Sequence, residues 1–295
     1  MLLIAICSGI IGSVALLRSK RASTPNLLKR LPLDDAVVVY IDFAALRRAR
    51  ILDLLSGANV VQDPEYRLFV DQTGFDYTRD LDAALVSFHP AGTYFLLRGR
   101  FDWRTLKQYV RTLNGSCYNS LCKMEGSTPE RKISYFPLQP DVMALAVAKS
   151  ESAVLELQER RPAPDFEVPA EPVWFLVPVS ELKNSGKLPP AARLLAESLT
   201  GVQRILFAFG ANGDALELRA DASCQDAAAA GSLAALLTDA TGRLRQAIAA
   251  GKQPPDPREA IAVLSAGAFE RKNTHVIGRW PIGRAFLETL AGGAN

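Results

Sequence analysis

A chain of 295 residues is long enough for two domains of ordinary size, and its apolar fraction of 48% excludes a disordered chain. The net charge of +3 is unevenly placed: residues 18–50 carry eight basic and three acidic side chains, residues 1–17 carry none, and residues 51–295 sum to −2. This balance argues against nucleic-acid binding, because the body lacks the basic face that such binding needs.

An apolar segment opens the chain. The residues from Leu2 to Leu17 are all apolar or small, and Arg18-Ser-Lys-Arg21 follows them. As a helix this run would span roughly 24 Å, somewhat less than a hydrocarbon core of about 30 Å. We interpret residues 1–21 as a membrane anchor or signal segment, with an uncleaved transmembrane helix as the leading hypothesis. A cleaved signal peptide, with small residues at Ser13-Val14-Ala15, and a lipoprotein signal at Cys7 are the alternatives.

The anchor hypothesis predicts a single-pass protein of the bacterial inner membrane with its body in the periplasm. The basic residues after the segment favour the opposite orientation, with a body that faces the cytoplasm, because positive charges usually stay on the cytoplasmic side. A cysteine pair further along the chain favours export. The expected partners are the lipid bilayer, through residues 2–17, and other envelope proteins.

The first predicted module covers residues 26–160. Its first strand is the β-branched run Val37–Ile41, and Asp42 directly after it is interpreted as the N-cap of a short helix. Asp63-Pro64-Glu65 predicts the start of another helix, because a capping acid and a proline at the first position favour one. Gly74 is expected to end this helix.

Asp76, Asp80 and Asp82 form the densest acidic cluster of the chain. As a calcium loop the cluster lacks the glycine and the distal glutamate of an EF-hand. The simpler interpretation is a capped polar turn ahead of a hairpin. The alternative is that these carboxylates converge in a pocket and serve a hydrolase.

Two short stretches resemble a group of uncharacterised bacterial envelope proteins. They are Pro32-Leu-Asp-Asp-Ala36, ahead of the apolar strand, and Thr73-Gly-Phe-Asp76, which is followed by Arg79-Asp80-Leu81-Asp82 and a hairpin. Members of that group carry an N-terminal membrane anchor and a tandem α/β body. The resemblance implies an exported and anchored bacterial protein. It transfers no active site, because the shared motifs are structural.

A β-hairpin pattern occurs twice, at an offset of 121 residues. The first copy runs from Leu85 to Arg98 and the second from Leu206 to Arg219, each with an apolar strand, a glycine-containing turn and a second strand. A helical pattern follows each copy, so the repeat predicts two related modules. The matching positions are Leu85/Leu206, Phe88/Phe209, Gly92/Gly213, Leu97/Leu218 and Arg98/Arg219.

After the first hairpin, Asp102 is predicted to cap a helix. Cys117 and Cys122 follow it; their C-x4-C spacing without histidines is a poor zinc signature, and redox-active pairs are more often C-x-x-C. We therefore predict a local disulfide, which an oxidising compartment would maintain. The apolar side of the helix, expected to pack on the sheet, consists of Trp103, Leu106, Tyr109, Val110 and Leu113.

Residues 161–172 contain four prolines and are interpreted as a linker, because proline at this density interrupts helices and central strands. The second module, residues 173–292, begins with the buried strand Val173–Val177. Asn212-Gly213 is expected to form the turn of the second hairpin. Helical and strand patterns alternate from there to the end of the module.

These elements together predict an α+β fold. It consists of two related modules of mostly antiparallel sheet with packed helices, behind an N-terminal transmembrane helix.

Motifs with known chemistry are missing from the sequence: it holds no G-x-S-x-G, no G-x-x-x-x-G-K-[ST], no G-x-G-x-x-G and no H-E-x-x-H. His89 and His275 are its only histidines, so a Ser-His-Asp arrangement has two candidate bases. We predict no catalytic residue, cofactor or metal. The leading hypothesis is a non-enzymatic binding or scaffolding protein, and the alternatives are a hydrolase that uses the acidic cluster and a carrier or chaperone for apolar ligands.

Overall fold

The computed structural model describes residues 23–52, 64–126, 128, 130–184, 199–212, 215–251, 256–283, 285–286 and 289. The helices in chain order are α1 (Thr24–Leu28), α2 (Phe43–Arg48), α3 (Pro64–Thr73), α4 (Tyr77–Asp80), α5 (Trp103–Thr112), α6 (Val179–Asn184), α7 (Ala227–Ala250) and α8 (Ala260–Ser265), with a 3-10 helix at Ala153–Gln158. The strands are β1 (Val37–Ile41), β2 (Leu81–His89), β3 (Gly92–Gly99), β4 (Ser116–Tyr118), β5 (Leu121–Glu125), β6 (Lys132–Gln139), β7 (Val142–Ala148), β8 (Val173–Pro178), β9 (Val202–Asn212), β10 (Ala215–Cys224), β11 (Ala268–Lys272) and β12 (His275–Ile282).

The chain divides into two compact units, residues 1–34 with 65–168 and residues 35–64 with 169–295. The predicted modules place residues 35–64 in the first module, whereas the structure places them in the second unit. Strand pairing is the reason: β1 is antiparallel to β8, with Val38 opposite Leu176 and Tyr40 opposite Trp174. Because β8 is distant from β1 in the sequence, local patterns cannot show to which unit β1 belongs.

The first unit contains antiparallel strands in the order β2-β3-β7-β6-β5-β4. Helix α5 packs on one face of these strands. Asp102 begins the helix as predicted, since its carboxylate accepts hydrogen bonds from Arg104 N and Thr105 N, both at 3.0 Å. The core under the helix consists of Leu106, Val110, Cys122, Tyr135 and Met143.

The other face of this sheet is covered by the 3-10 helix and α1. Tyr94, which is buried on this face, donates a hydrogen bond to Glu156 Oε1 at 3.3 Å. The Arg30 guanidinium donates to the carbonyl oxygens of Leu157 and Gln158 at 3.1 and 2.9 Å. Arg30 thereby satisfies carbonyl groups that the end of the 3-10 helix leaves without a helical partner.

The second unit contains antiparallel strands in the order β11-β12-β10-β9-β8-β1. Helix α7 starts at its N-cap Asp226, whose side chain accepts a hydrogen bond from Ala229 N at 2.8 Å. Its buried Ala230 and Leu233 lie in one core with Cys224 of β10 and Val276 of β12. Cys224 is therefore a buried cysteine that packs as a small hydrophobic residue.

Both units contain the predicted hairpin, but the turns are not equivalent. His89 pairs with Gly92 in the first hairpin, so the offset of 121 predicts a pair between Gly210 and Gly213 in the second. The observed pair is Asn212 with Ala215, two residues further along each strand, and Gly213 itself lies outside the described residues. A displacement by an even number of residues keeps each side chain on its face of the sheet.

The predicted disulfide is confirmed. Cys117 and Cys122 are joined, with a sequence separation of 5, and stand directly opposite each other in the β4–β5 hairpin. The turn between them is formed by Asn119 and Ser120, which have φ of 46° and 70°. Positive φ at both central residues is the geometry of a type I′ turn, which suits a two-residue hairpin.

The structure contradicts the prediction of a transmembrane helix. The fold class, which included that helix, and the single-pass location in the inner membrane are corrected for the same reason. In the part of the chain that the structure describes, no helix combines the length and the apolar character that crossing a bilayer requires. Residues 2–17, on which the prediction rests, lie outside the described residues. The architecture described is two units of antiparallel strands with packed helices.

Candidate functional site

The structure brings together two members of the predicted acidic cluster, Asp76 and Asp80, between α3 and β2. Asp76 is the N-cap of α4: its Oδ1 accepts hydrogen bonds from Thr78 N at 2.9 Å and from Thr78 Oγ1 at 2.7 Å. Tyr66 OH donates to the same oxygen at 3.3 Å. Burial is the main cause that raises the pKa of Tyr66 to about 12, so this hydroxyl remains a donor at neutral pH.

Asp80 is the acceptor of a second set of hydrogen bonds. Its carboxylate accepts from Arg79 Nη2 at 2.7 Å, Arg100 Nη2 at 3.1 Å and Asp76 N at 3.0 Å. The Asp80 side chain is only 13% exposed, whereas those of Arg79 and Arg100 are 62% and 71% exposed. These bonds, above all the one from Arg79, hold the pKa of the Asp80 carboxyl below its ordinary value.

Asp82 lies apart from this pair. It occupies the bulge between Leu81 and Ala83, where the register of β2 and β3 shifts, and it does not line the cleft beside Asp80. A hydrolase that uses a pair of carboxyl groups needs one that retains its proton as general acid and one ionised carboxylate that can act as base or nucleophile. Asp76 and Asp80 instead hold the turn between α3 and β2, which is the role that the capping interpretation assigns to them.

We expect Asp80→Asn to lower the free energy of unfolding at neutral pH by about 1–2 kcal/mol, because an amide binds two guanidinium groups and a backbone N–H less strongly than a carboxylate does. The lowered pKa sets the pH dependence: the contribution is present above the unfolded value of about 3.9 and is lost as the pH falls through the folded value. Urea unfolding of the wild type and the variant, from neutral pH down to about pH 2, measures both effects.

The matched control is Asp71→Asn, which removes an exposed carboxylate from α3. This substitution should change the unfolding free energy by less than about 0.5 kcal/mol. A loss for Asp80→Asn that is no larger than the control, or a loss that persists at the acid end of the titration, would contradict the role given to Asp80.

A cleft of about 370 Å³ opens beside Asp80, and we name it the mixed cleft. Its floor is formed by Phe75 and Phe101, whose stacked rings have centroids 5.5 Å apart. The exposed guanidinium groups of Arg79 and Arg100 lie at its rim. Apart from these four residues and Asp80, the lining consists of Thr73, Gly74 and Asp102.

A second cleft, of about 560 Å³, lies along the solvent side of α5, and we name it the basic cleft. Its three cations are Arg104, Lys107 and Arg111. Their spacing of i, i+3, i+7 places them on one side of the helix. Among the described residues, none of these cations forms an ion pair with a carboxylate. Within the described part of the chain, its lining consists of Trp103, Arg104, Lys107, Gln108 and Arg111.

The two clefts adjoin at the start of α5. Phe101 lines the mixed cleft and Trp103 lines the basic cleft, and their ring centroids are 5.2 Å apart. The Trp103 indole is fixed in place, because its Nε1 donates a hydrogen bond to the Pro140 carbonyl oxygen at 3.0 Å. An aromatic path therefore connects the Phe75–Phe101 floor with the cations of α5.

Comparisons with known proteins identify no family. No protein-family model matches the chain, and no curated protein matches it. Solved structures of a protein titled TP0453 are similar at 10% identity: crystal form I with a TM-score of 0.45, covering 86% of this chain and 90% of that one, and crystal form III with a TM-score of 0.48, covering 92% and 99%. Crystal form IV has a TM-score of 0.45 and covers 87% and 92%. Similarity at this level supports no argument about function.

The two histidines have different surroundings. His89 lies at the turn of the first hairpin, where its Nδ1 accepts a hydrogen bond from Ala91 N at 3.1 Å. His275 Nδ1 lies 2.7 Å from Asp221 Oδ1, and Ser223 stands directly opposite His275 on the neighbouring strand. Within the described residues no hydrogen bond joins Ser223 to His275, so these three residues do not form an activated nucleophile.

The basic cleft was not predicted from the sequence. The apolar side of the α5 pattern indicated packing on the sheet, whereas Arg104, Lys107 and Arg111 recur at helical spacing on the opposite side. That spacing was visible in the sequence. Whether such cations are paired with acids from other elements depends on the tertiary structure, and a run of charges on a helix is usually solvated.

Proposed function

We propose that this protein is a non-enzymatic binding protein that holds an acidic segment of a partner protein in the basic cleft. The observation that carries the proposal is the position of Arg104, Lys107 and Arg111 around one cleft, without ion-pair partners among the described residues. Like charges at this spacing on a helix repel one another, and bound carboxylates relieve that repulsion.

The helix that carries the three cations is firmly held. Asp102 caps its first turn, and Leu106 and Val110 are buried on the opposite side from the cleft. The cations therefore start from a rigid backbone, which lowers the conformational entropy lost when a partner binds. This rigidity favours a recognition site over a merely solvated face.

A short acidic segment suits the charge of the molecule better than a nucleic acid or an anionic bilayer does. Residues 51–295, which include α5, sum to −2, so this part of the chain has no net positive charge to attract a long polyanion. A long polyanion gains its affinity from many contacts along a basic face. A peptide with a few aspartates or glutamates needs only the three cations that the cleft provides.

The test is the binding of a synthetic peptide with four consecutive glutamates, measured by fluorescence anisotropy at low and at high salt. We expect the double variant Lys107→Glu, Arg111→Glu to lose about ten-fold or more in affinity, because it replaces attraction by repulsion at the centre of the cleft. Binding by the wild type should weaken as the salt concentration rises.

The matched control is the double variant Lys149→Glu, Arg258→Glu. It makes the same change in net charge at two exposed residues outside both clefts. Equal losses in the two double variants would show a general charge effect and would contradict a specific site on α5. Absence of binding to the wild type at low salt would contradict the proposal as a whole.

A further inference from the structure

We infer that the mixed cleft is a second subsite for the same partner and that it takes an aromatic side chain next to the acidic run. The inference rests on the proposed function and names the ligand class more closely. Its starting point is the contact between Phe101 and Trp103, which joins the two clefts at the beginning of α5.

The floor of the mixed cleft is apolar, and the volume of the cleft is sufficient for one aromatic side chain. Phe75 and Phe101 are both partly exposed, so an inserted ring would remove further apolar area from water. The cleft volume of about 370 Å³ lies at the low end of the range of roughly 300–1,000 Å³ that is typical of ligand pockets.

The rim of the mixed cleft favours an aromatic over an aliphatic side chain. Arg79 and Arg100 are both bound to Asp80, and Arg79 Nη2 also donates to the Gly74 carbonyl oxygen at 2.7 Å. Two guanidinium groups are thus held at the edge of an apolar floor before any ligand arrives. Guanidinium groups are attracted to the faces of aromatic rings, and fixed groups lose little entropy in this contact.

The distance along α5 sets the length of the segment. Arg104 and Arg111 are seven residues apart, which is about 10 Å along a helix axis at 1.5 Å per residue. An extended peptide advances about 3.3 Å per residue, so three or four acidic residues cover this distance. The predicted ligand is therefore an aromatic residue followed or preceded directly by three or four aspartates or glutamates.

The same rings argue against a single-stranded nucleic acid. Bases stack on aromatic side chains whose faces are free. Phe75 and Phe101 stack on each other with an angle of 11° between their planes, and the Trp103 indole is bonded to Pro140. One face of each phenyl ring is therefore already covered, and the two rings offer no row of free faces for a series of bases.

The experiment compares two peptides on the full chain by fluorescence anisotropy: four glutamates preceded by tryptophan, and the same peptide with alanine in place of the tryptophan. We expect the tryptophan peptide to bind about five-fold more tightly. A third peptide, in which eight glycine and serine residues separate the tryptophan from the glutamates, should bind like the alanine peptide.

Two variants assign the effect to its cleft. Lys107→Glu, Arg111→Glu should weaken all three peptides, whereas Gly74→Asn should reduce the difference between the first two. Gly74 has φ of +68°, which asparagine tolerates, and a side chain there would enter open space beside the mixed cleft. Equal affinity of the tryptophan and alanine peptides for the wild type would overturn the inference and leave the proposed function standing. Failure of both to bind would overturn both, as would tighter binding of an oligonucleotide or of anionic lipid vesicles.

Discussion

Trp174→Ala is expected to lower the free energy of unfolding by about 3–5 kcal/mol. The Trp174 side chain is 0% exposed and lies near the start of β8. Its ring stacks on that of Tyr40 in β1, with the centroids 5.4 Å apart. Alanine would remove this buried area and the ring contact, and it would leave a cavity that neighbouring hydrogen-bonded strands cannot fill by collapsing.

Guanidinium chloride unfolding, followed by far-UV circular dichroism, measures this loss without relying on the fluorescence of the deleted tryptophan. The control is Tyr118→Ala, because Tyr118 is 79% exposed at the tip of the β4–β5 hairpin. It should change the unfolding free energy by less than about 0.5 kcal/mol. A loss below about 1 kcal/mol for Trp174→Ala would contradict the packing described for the second unit.

The stacked pair can be tested on its own by a double-mutant cycle with Tyr40→Ala. The sum of the two single losses should exceed the measured loss of the double variant by a coupling energy of about 0.5–1.5 kcal/mol, the range found for aromatic pairs. Tyr40 and Trp174 belong to β1 and β8. The coupling therefore also tests the assignment of residues 35–64 to the second unit.

The second large effect is expected from removal of the disulfide. Cys117→Ala, Cys122→Ala should lower the unfolding free energy by about 2–3 kcal/mol. Closure of a loop of this length in the unfolded chain accounts for about 2 kcal/mol of the loss, and the rest comes from the packing of Cys122, which is buried beside Leu106 and Val110 of α5. Alanine is the suitable replacement because a serine hydroxyl would be buried without a partner.

Chemical reduction separates the two contributions. Dithiothreitol should lower the stability of the wild type by about 2 kcal/mol and leave the double variant unchanged. Urea unfolding of both proteins, with and without the reductant, makes this comparison. A wild type that is insensitive to reduction, or a double variant that responds to it, would contradict the stabilising role of the Cys117–Cys122 bond.

The charged groups of the first unit show what sequence reasoning misses. Density of charge drew attention to Asp76, Asp80 and Asp82, yet the first two are occupied in structural hydrogen bonds. Arg104 and Lys107 attracted no attention, although they line the larger of the two clefts. Whether a charged side chain is paired within the fold depends on the tertiary structure and cannot be seen in the sequence.

Local chemistry was enough to predict the features that depend on neighbouring residues. Asp42 and Asp102 accept backbone hydrogen bonds at the helix starts where a capping residue was expected. The short spacing of Cys117 and Cys122 indicated a disulfide, since two thiols so close in the chain meet within one hairpin. Caps, tight turns and short loops depend on interactions between a few consecutive residues, so a short stretch of sequence is enough to predict them.

Only the tertiary structure decided the features that depend on distant residues. The pairing of β1 with β8 joins segments that lie more than a hundred residues apart, and it moves residues 35–64 into the second unit. The hairpin repeat predicted two strands at the right places, but the last pair before the second turn lies two residues beyond the position that the offset of 121 indicates, because register is set by the pairing of whole strands. The basic cleft on α5 has the same origin. The sequence determines which side of the helix carries Arg104, Lys107 and Arg111, and the packing of the opposite side on the sheet leaves the side with these cations open to a ligand.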